Sequence, residues 1–304
     1  MAVKSDRHAP IALFVFKRPE HTARMLAGLL SNPEFAESPL FIFSDGARNV
    51  VEQFAVDAVR TLIADFSHTN KTIVYAPVNQ GLADSIIQGV TQLCAQFGRV
   101  IVVEDDLVVS PFFLNYMNTA LARYENVSQV MQISGHMFPV KLAVETDAIF
   151  LPFTTSWGWA TWQRAWQHMK IEPEVATERL KSRAWRHKFD IGGCYPYSRM
   201  LAERLAGKNN SWAIWWYFQV FARKGLTLFP RVSLVNNEGF DGSGTHCDTQ
   251  DIEMVQFSVT APVKYPEVMD NAIALKTLRY FLRKNRGFVK ACYDQLWRIF
   301  AKNI

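Results

Sequence analysis

Residues 100–107 read VIVVEDDL, an apolar run that ends abruptly in three carboxylates. Four consecutive β-branched residues bounded by polar ones are typical of a short, fully buried strand. The acids stand directly at its carboxyl end, the place where a parallel α/β sheet binds its ligands. The residues before this stretch decide whether it belongs to such a sheet.

Those earlier residues alternate short apolar runs with amphipathic stretches. The predicted strands are Ile11–Phe16, Leu40–Phe43, Thr72–Tyr75 and Val100–Val103. The predicted helices between them are Pro19–Leu30, Val51–Phe66 and a stretch from Gly81 to Phe97. Strands that alternate with helices of this length indicate βαβ units. We therefore predict an α/β fold with a mainly parallel central sheet flanked by helices.

The second half of the chain has a looser pattern. We predict helices over Phe112–Tyr124, Trp157–Trp166 and Trp212–Arg223, helix-prone residues over 171–209, and strands over Val130–Ile133, Ile149–Phe153 and Leu226–Val235. No repeat or low-complexity linker marks a boundary before a basic tail. The prediction is one domain over residues 1–264 and a helical extension over residues 265–304.

Composition excludes several classes of protein. The 304 residues are 49% hydrophobic and 20% charged, as in an ordinary globular chain that folds without disulfides. Lys and Arg exceed Asp and Glu by 33 to 28, too small a surplus to indicate a nucleic-acid partner. The polar amino terminus and the lack of a long apolar run predict a cytoplasmic location, or one on the inner face of the cytoplasmic membrane.

Four polar features stand at predicted strand ends and should meet at one edge of the sheet. They are Lys17-Arg18, Asp45, Asn79-Gln80-Gly81 and Glu104-Asp105-Asp106. Three adjacent carboxylates repel one another unless a cation offsets them, and Mg²⁺ or Mn²⁺ binds one or two carboxylates together with substrate phosphates. Asp106 best suits direct ligation. A solvated acidic turn or a helix cap is the alternative.

Two of the other three strand-end groups have alternative interpretations. Asp45 precedes a glycine and can accept a hydrogen bond from a base or ribose, although an Asx-turn explains it nearly as well. Arg18 can contact a diphosphate or a base, or stand with Lys17 as a solvated pair. No Walker loop and no G-x-G-x-x-G motif occurs.

With these pieces placed, the chain resembles nucleotide-sugar-dependent glycosyltransferases of the Rossmann-like GT-A fold. It is most similar to bacterial family-2-type sugar transferases, and more distantly to the N-acetylglucosaminyltransferase that initiates complex N-glycans. The motifs that carry the resemblance are FKRP at 16–19, FSDG at 43–46, NQGL at 79–82, VEDDL at 103–107, SWGWA at 156–160, SWAIWW at 211–216 and NEGFDGSGTH at 237–246.

The resemblance implies transfer of a sugar from a nucleotide diphosphate sugar to a saccharide or lipid-linked saccharide. Residues 1–110 would bind the nucleotide sugar, and residues 111–264 would hold the acceptor. The implied donor contacts are Arg18, Asp45, Asn79, Gly81, Glu104 and Asp105. The implied metal ligands are Asp106 and His246, the latter from a glycine-rich closing loop, and the implied acceptor contacts are Trp157, Gly158, Trp159 and Trp212.

One position departs from the family's pattern. The related N-acetylglucosaminyltransferase carries its base aspartate just after a tryptophan, where this chain has Ala213. We expect Asp241 to be the catalytic base and Glu238 to be the second candidate, although either can be a turn residue. The tryptophans can stack on sugar rings or belong to the core.

The carboxyl-terminal residues combine cations with recurring apolar side chains. From Lys276 onward, eight Lys and Arg residues face a single acid, Asp294. Such a helix can lie on an anionic membrane or pack on the domain with its cations in water.

The sequence as a whole favours a glycosyltransferase. The two alternative functions are those of a sugar-phosphate nucleotidyltransferase and of a non-catalytic saccharide-binding protein.

Overall fold

The computed structural model describes residues 8–239, 258, 260–285 and 287. The ten strands are β1 Ile11–Val15, β2 Leu40–Ser44, β3 Lys71–Tyr75, β4 Arg99–Glu104, β5 Leu107–Val109, β6 Val130–Ser134, β7 Ala148–Leu151, β8 Trp159–Trp162, β9 Leu226–Pro230 and β10 Val235–Asn237. The helices are α1 Pro19–Leu30, α2 Val50–Asp65, α3 Leu82–Phe97, α4 Phe113–Arg123, α5 Gln163–Trp166, α6 Pro173–Lys181, α7 Arg183–Phe189, α8 Tyr197–Leu205, α9 Trp212–Ala222 and α10 Ala272–Lys284.

Eight strands form one sheet in the order β3-β2-β1-β4-β8-β6-β9-β7, and β5 pairs with β10 in a small separate ladder. The four strands on the β3 side are parallel. Strand β8 runs antiparallel to both β4 and β6, so β6 points the same way as β4, and β9 is parallel to β6. The α/β architecture with a mostly parallel sheet flanked by helices is therefore confirmed.

Apolar side chains fill both faces of the sheet, as the alternation along β1 illustrates. Ile11, Leu13 and Val15 join a core with α1, α2 and α4, whereas Ala12 and Phe14 join a core with α3, α5 and α9. The third apolar cluster packs α6 to α10 against β7 and β9. Burial on both faces explains why these strands read as continuous apolar runs.

The stretch Trp157–Trp166 was predicted as a helix, and only its second half is helical. Residues 159–162 form the strand β8, and the equally short helix α5 follows over residues 163–166. All four residues of β8 are buried, so the sequence has no polar alternation that would indicate a strand. Tertiary pairing decides the conformation here, because Ala160 bridges Ile101 of β4 and Ile133 of β6.

The tail begins with a helix that packs on the domain. Helix α10 buries Ala274, Leu275, Leu278 and Leu282 in the third cluster. Arg279 donates from Nε to the carbonyl of Ile191 (3.2 Å). Within the described ranges, no helix is long and apolar enough to cross a bilayer.

Candidate functional site

The acidic triplet lies where parallel strands end together. Phe14 of β1 is in register with Glu104 of β4, and Val15 with Ser44 of β2. Asp105 and Asp45 thus follow strands on either side of β1, and the sheet spacing separates them by roughly 10 Å. Since β6 runs parallel to β4, the residues after Ser134 reach the same edge.

Backbone and side-chain contacts tie the triplet to the first strand. Asp105 donates its N–H to the carbonyl of Phe14 (3.0 Å) and accepts from the N–H of Phe16 at Oδ2 (3.2 Å). Arg18, just before α1, donates from Nη1 to Oδ2 of Asp106 (3.4 Å). These contacts fix the order of the carboxylates along the edge and place a guanidinium against the last of them.

Burial makes this cluster costly to ionise. Burial first, and then the charges of Asp106 and Asp105, raise the pKa of Glu104 well above its ordinary value, against the opposing charge of Arg18. Burial and the charge of Asp106 raise the pKa of Asp105 to about 7. Burial also raises the pKa of Asp106, while Arg18 and His21 on α1 oppose the rise. If all three groups were ionised, they would carry more negative charge than Arg18 and His21 offset.

The donor set fits a divalent ion that is shared with a ligand. Among the residues that the structure describes, no group of three His, Cys, Asp or Glu side chains is placed to hold a metal by itself. Mg²⁺ and Mn²⁺ sites in phosphate-handling proteins need only one or two carboxylates, because phosphate oxygens complete the shell. Asp106 is such a carboxylate, whereas His246 lies outside the described residues.

Asp45 joins two loops at this edge. Its carboxylate accepts from the N–H groups of Gly46 (2.8 Å), Gln80 (2.8 Å) and Gly81 (2.9 Å), and from Nδ2 of Asn79 (3.0 Å). A Cβ on Gly46 would come within 2.5 Å of the Val78 carbonyl carbon, so glycine permits this close approach. Asp45 and the segment 79–81 therefore act as one unit, with the carboxylate already saturated by protein donors.

A cationic cluster that the motifs did not predict stands beside Phe16. Glu52 of α2 accepts from Lys17 Nζ (2.6 Å) and Arg48 Nε (2.9 Å), and these bonds hold the pKa of Glu52 at about 2. Lys17 and Arg48 both lie over the Phe16 ring. Only the i, i+4 spacing of Arg48 and Glu52 was visible in the sequence.

Of the two candidate bases, Glu238 lies within the described residues. Glu238 follows β10, and its N–H donates to the carbonyl of Asp106 (2.8 Å), which puts it beside the acidic triplet. Its carboxylate forms an ion pair with Arg24 of α1. Asp241 lies outside the described residues, as does the rest of the glycine-rich segment after Gly239.

An aromatic pocket opens next to the β6 end. Trp157 and Trp212, two of the predicted acceptor contacts, line it together with Ala213. Gly158 and Trp159 are not among its lining residues. Trp159 is fully buried and stacks on Trp212 with ring centroids 5.1 Å apart, which is the core alternative that the sequence left open.

The glycine at 158 serves the protein's own packing. Its φ is +58°, and a Cβ there would come within 2.8 Å of Val235 Cγ1. Its carbonyl accepts from the N–H of Gly135 (2.6 Å). The close approach that glycine permits is thus made by strand β10 and the β6 end, at the boundary between the acidic edge and the pocket.

Sequence reasoning also missed His136, which lines the pocket two residues after β6. It is 3% exposed, and neither ring nitrogen has a hydrogen-bond partner among the described residues. Burial lowers its pKa to about 3. A single histidine in the stretch SGHMF gives no motif or period that would have identified it.

Comparisons with known proteins give structural likenesses only. No family model matches the chain, and no curated protein matches it. The structure of GalNAc-T7 with UDP, GalNAc and Mn²⁺ is similar over 75% of this chain and 43% of that chain, with 7% identity and a TM-score of 0.43. The mannosyltransferase PcManGT from Pyrobaculum calidifontis, in complex with GDP-Man and Mn²⁺, is similar over 72% of this chain and 75% of that chain, with 10% identity and a TM-score of 0.39.

Both of these proteins are GT-A glycosyltransferases, the class that the sequence motifs resemble. The chain spans less than half the length of the first. At TM-scores below 0.5, neither likeness assigns an activity to this chain, and the function is inferred from its own residues.

Proposed function

We propose that the chain is a metal-dependent glycosyltransferase that moves a sugar from a nucleotide diphosphate sugar to an acceptor hydroxyl. The observation that carries the proposal is the crowding of three carboxyl groups after β4, where Glu104, Asp105 and Asp106 lie side by side and Arg18 pairs with Asp106. A divalent cation would relieve the repulsion among these groups when they are ionised, and it would bind the phosphate oxygens of a donor at the same edge.

The donor side of the mechanism follows from this arrangement. Asp106 would bind Mn²⁺ or Mg²⁺, with His246 as a further ligand, and the bound ion would stabilise negative charge on the departing diphosphate. Arg18, which pairs with Asp106, would donate to the same diphosphate. Glu104 and Asp105 would act through water or on a sugar hydroxyl.

The loops around Asp45 would receive the nucleoside. The carboxylate orients the amides of Gln80 and Gly81 and the side chain of Asn79, which would present the segment 79–81 to the base or ribose. Because the Asp45 carboxylate already accepts four hydrogen bonds, a hydrogen bond from a base would have to be added to these four. Asp45 therefore contributes chiefly by positioning.

The acceptor would enter through the aromatic pocket, where Trp157 would stack on a sugar ring. Trp212 also lines the pocket, but it is 2% exposed and stacks on Trp159, so it belongs mainly to the core. An inverting transfer needs a base within hydrogen-bond reach of the acceptor hydroxyl. Asp241 is the first candidate. Glu238 is the second, although its carboxylate is engaged in the ion pair with Arg24.

The cellular role that we propose is synthesis of a bacterial surface polysaccharide, such as lipopolysaccharide or capsule, in the cytoplasm or at the inner face of its membrane. Lys276 and Lys284 are exposed on α10, and further cations follow in the sequence. These charges would favour contact with an anionic membrane that carries a lipid-linked acceptor.

A panel of sugar nucleotides, assayed with Mn²⁺, with Mg²⁺ and with chelator, tests the proposal through release of free nucleotide. We expect one donor to be turned over only with metal, and Asp106→Asn to reduce the rate by at least about a hundredfold, as expected for loss of electrostatic stabilisation. Asp65→Asn, on the exposed end of α2, is the matched control. Turnover that ignores both metal and Asp106 would contradict the proposal.

A second candidate, a non-catalytic saccharide-binding protein, is favoured by one observation. Ala213 lines the pocket at the position where the resembled family carries its base, and a methyl group cannot accept a proton. Saccharide binding without turnover of any donor in the panel would select this candidate over the enzyme.

A further inference from the structure

The aromatic pocket has a chemical character distinct from that of the acidic edge. Its walls come from the segments after β6, before β8 and before and within α8 and α9. The lining residues are His136, Phe138, Thr154, Thr155, Ser156, Trp157, Tyr195, Tyr197, Met200, Ser211, Trp212, Ala213, Ile214, Trp216 and Tyr217. None of these carries a formal charge at neutral pH when the histidine is neutral. The pocket thus suits an uncharged ligand with a ring face.

Several polar groups of the wall are engaged with the protein. Thr155 Oγ1 and Ser134 Oγ share a hydrogen bond (2.7 Å), Tyr217 donates to the carbonyl of Phe189 (2.8 Å), and Ser211 caps α9 through the N–H of Ile214 (3.3 Å). These bonds fix the orientation of the three side chains on the pocket wall.

His136 differs from these three engaged side chains. Its ring stands edge-on to Trp157 and Phe138, with centroids 4.5 Å and 5.1 Å away, so packing fixes its orientation. Among the described residues neither nitrogen finds a partner, and leaving a buried donor or acceptor unpaired costs about 1–3 kcal/mol. A chain that keeps a nearly buried, unpaired imidazole on a pocket wall gains most if a ligand supplies the missing partner.

The protonation state narrows the ligand class. Because burial lowers the pKa of His136 to about 3, the ring is neutral near neutral pH. A neutral imidazole offers one N–H donor and one lone-pair acceptor. A hydroxyl group can satisfy either, whereas a carboxylate or phosphate would need a cation, and the described lining residues include none.

We propose that this pocket binds a neutral saccharide, the acceptor of the transfer reaction, and that His136 hydrogen-bonds one of its hydroxyl groups. In calling the saccharide an acceptor, the proposal rests on the proposed function. The position supports it, because His136 follows β6 at the same sheet edge as the acidic triplet, with Trp157 and Gly158 between them in the strand order. His136 is thus a substrate-binding residue, distinct from the base candidates.

The experiment uses the full chain and measures binding of methyl glycosides of glucose, galactose and N-acetylglucosamine by saturation-transfer NMR, without nucleotide or metal. We expect at least one glycoside to bind. His136→Phe, which keeps a ring but removes both nitrogens, should weaken binding tenfold or more. His136→Gln, which restores a donor and an acceptor, should retain part of it. His168→Phe, a histidine outside the pocket wall, is the control and should bind as the unsubstituted chain does.

Two outcomes overturn the inference: no glycoside binds the unsubstituted chain, or His136→Phe binds as tightly as His168→Phe. Thermal unfolding verifies that each variant is folded. If His136→Phe does not fold, the inference is tested with His136→Gln, which must bind glycosides differently from His168→Phe. Release of nucleotide from donors is assayed separately on the same chain. If donors are not turned over while glycosides bind through His136, the transferase proposal fails and the saccharide pocket stands.

Discussion

At the scale of single residues, some candidate site residues can be identified from the sequence, and others become apparent only in the fold. Glu104, Asp105 and Asp106 could be identified because three adjacent acids after an apolar run are unusual in themselves. The saturation of Asp45 by four donors could not, since three of those donors come from the loop after β3. His136 likewise becomes notable only when Trp157 and Phe138 enclose it.

The buried imidazole predicts a pH dependence of stability. The pKa of His136 is lowered from about 6.5 to about 3, so below pH 6.5 the unfolded chain binds a proton that the native chain does not. This contribution is complete above that pH and is lost as the pH falls toward 3. Between about pH 7 and about pH 5, the unfolding free energy should fall by about 2 kcal/mol more in the unsubstituted chain than in His136→Phe.

Urea unfolding at the two pH values measures this difference. Phe138→Leu changes the packing beside the imidazole without removing a titratable group, and it should keep the pH dependence of the unsubstituted chain. Parallel pH profiles for the unsubstituted chain and His136→Phe would show that the imidazole is not held neutral by burial.

At the scale of elements, the first half of the chain was predictable because each unit carries its own signal. Pro19 starts α1, Asn49 caps α2 through the N–H groups of Val51 and Glu52, and the apolar runs of β1 to β4 are short and bounded. Strand β8 was not predictable, because its pairing with β4 and β6 overrides a local pattern that also suits a helix.

The environment of helix α10 also could not be predicted from the sequence. The sequence left open whether its apolar side chains face a membrane or the domain. Packing of Leu278 and Leu282 in the third cluster answers the question for the described part of the tail, while the cations on its outer face remain exposed.

This packing predicts different costs for two substitutions on α10. Leu278 is 1% exposed, and truncating a buried leucine to alanine costs about 2–5 kcal/mol, so Leu278→Ala should lower the unfolding free energy by about 3 kcal/mol. Ile273, 69% exposed on the same helix, is the matched control, and Ile273→Ala should change it by less than about 0.5 kcal/mol. Equal effects in urea unfolding would mean that α10 does not pack as described.

At the scale of the whole molecule, one sheet brings together residues that are far apart in sequence. The parallel strands β1, β2 and β4 place Arg18, Asp45 and the acidic triplet on one edge, and the antiparallel β8 allows β6 to add the aromatic pocket to it. The shared edge of Arg18, Asp45 and the acids could be predicted from the order of strands in the sequence. The position of the pocket could not, because no local pattern in residues 130–166 indicates an antiparallel strand between β4 and β6.

The small ladder of β5 and β10 completes this arrangement. It holds Glu238 beside Asp106 and Val235 against Gly158, so the chain that enters the glycine-rich segment starts between the acidic edge and the pocket. The ladder thus contacts both the segment that carries the acids and the segment that precedes β8.

The central claim is that the acids after β4 hold a divalent ion together with a diphosphate. Electron paramagnetic resonance of free Mn²⁺, recorded as the chain is titrated with UDP or GDP, tests it most directly. Because no described cluster of three protein ligands is available, we predict that the free-ion signal is lost only when the nucleotide is present, and that Asp106→Asn restores it. Mn²⁺ that stays free with both nucleotides, or that binds equally well to Asp106→Asn, would contradict the account.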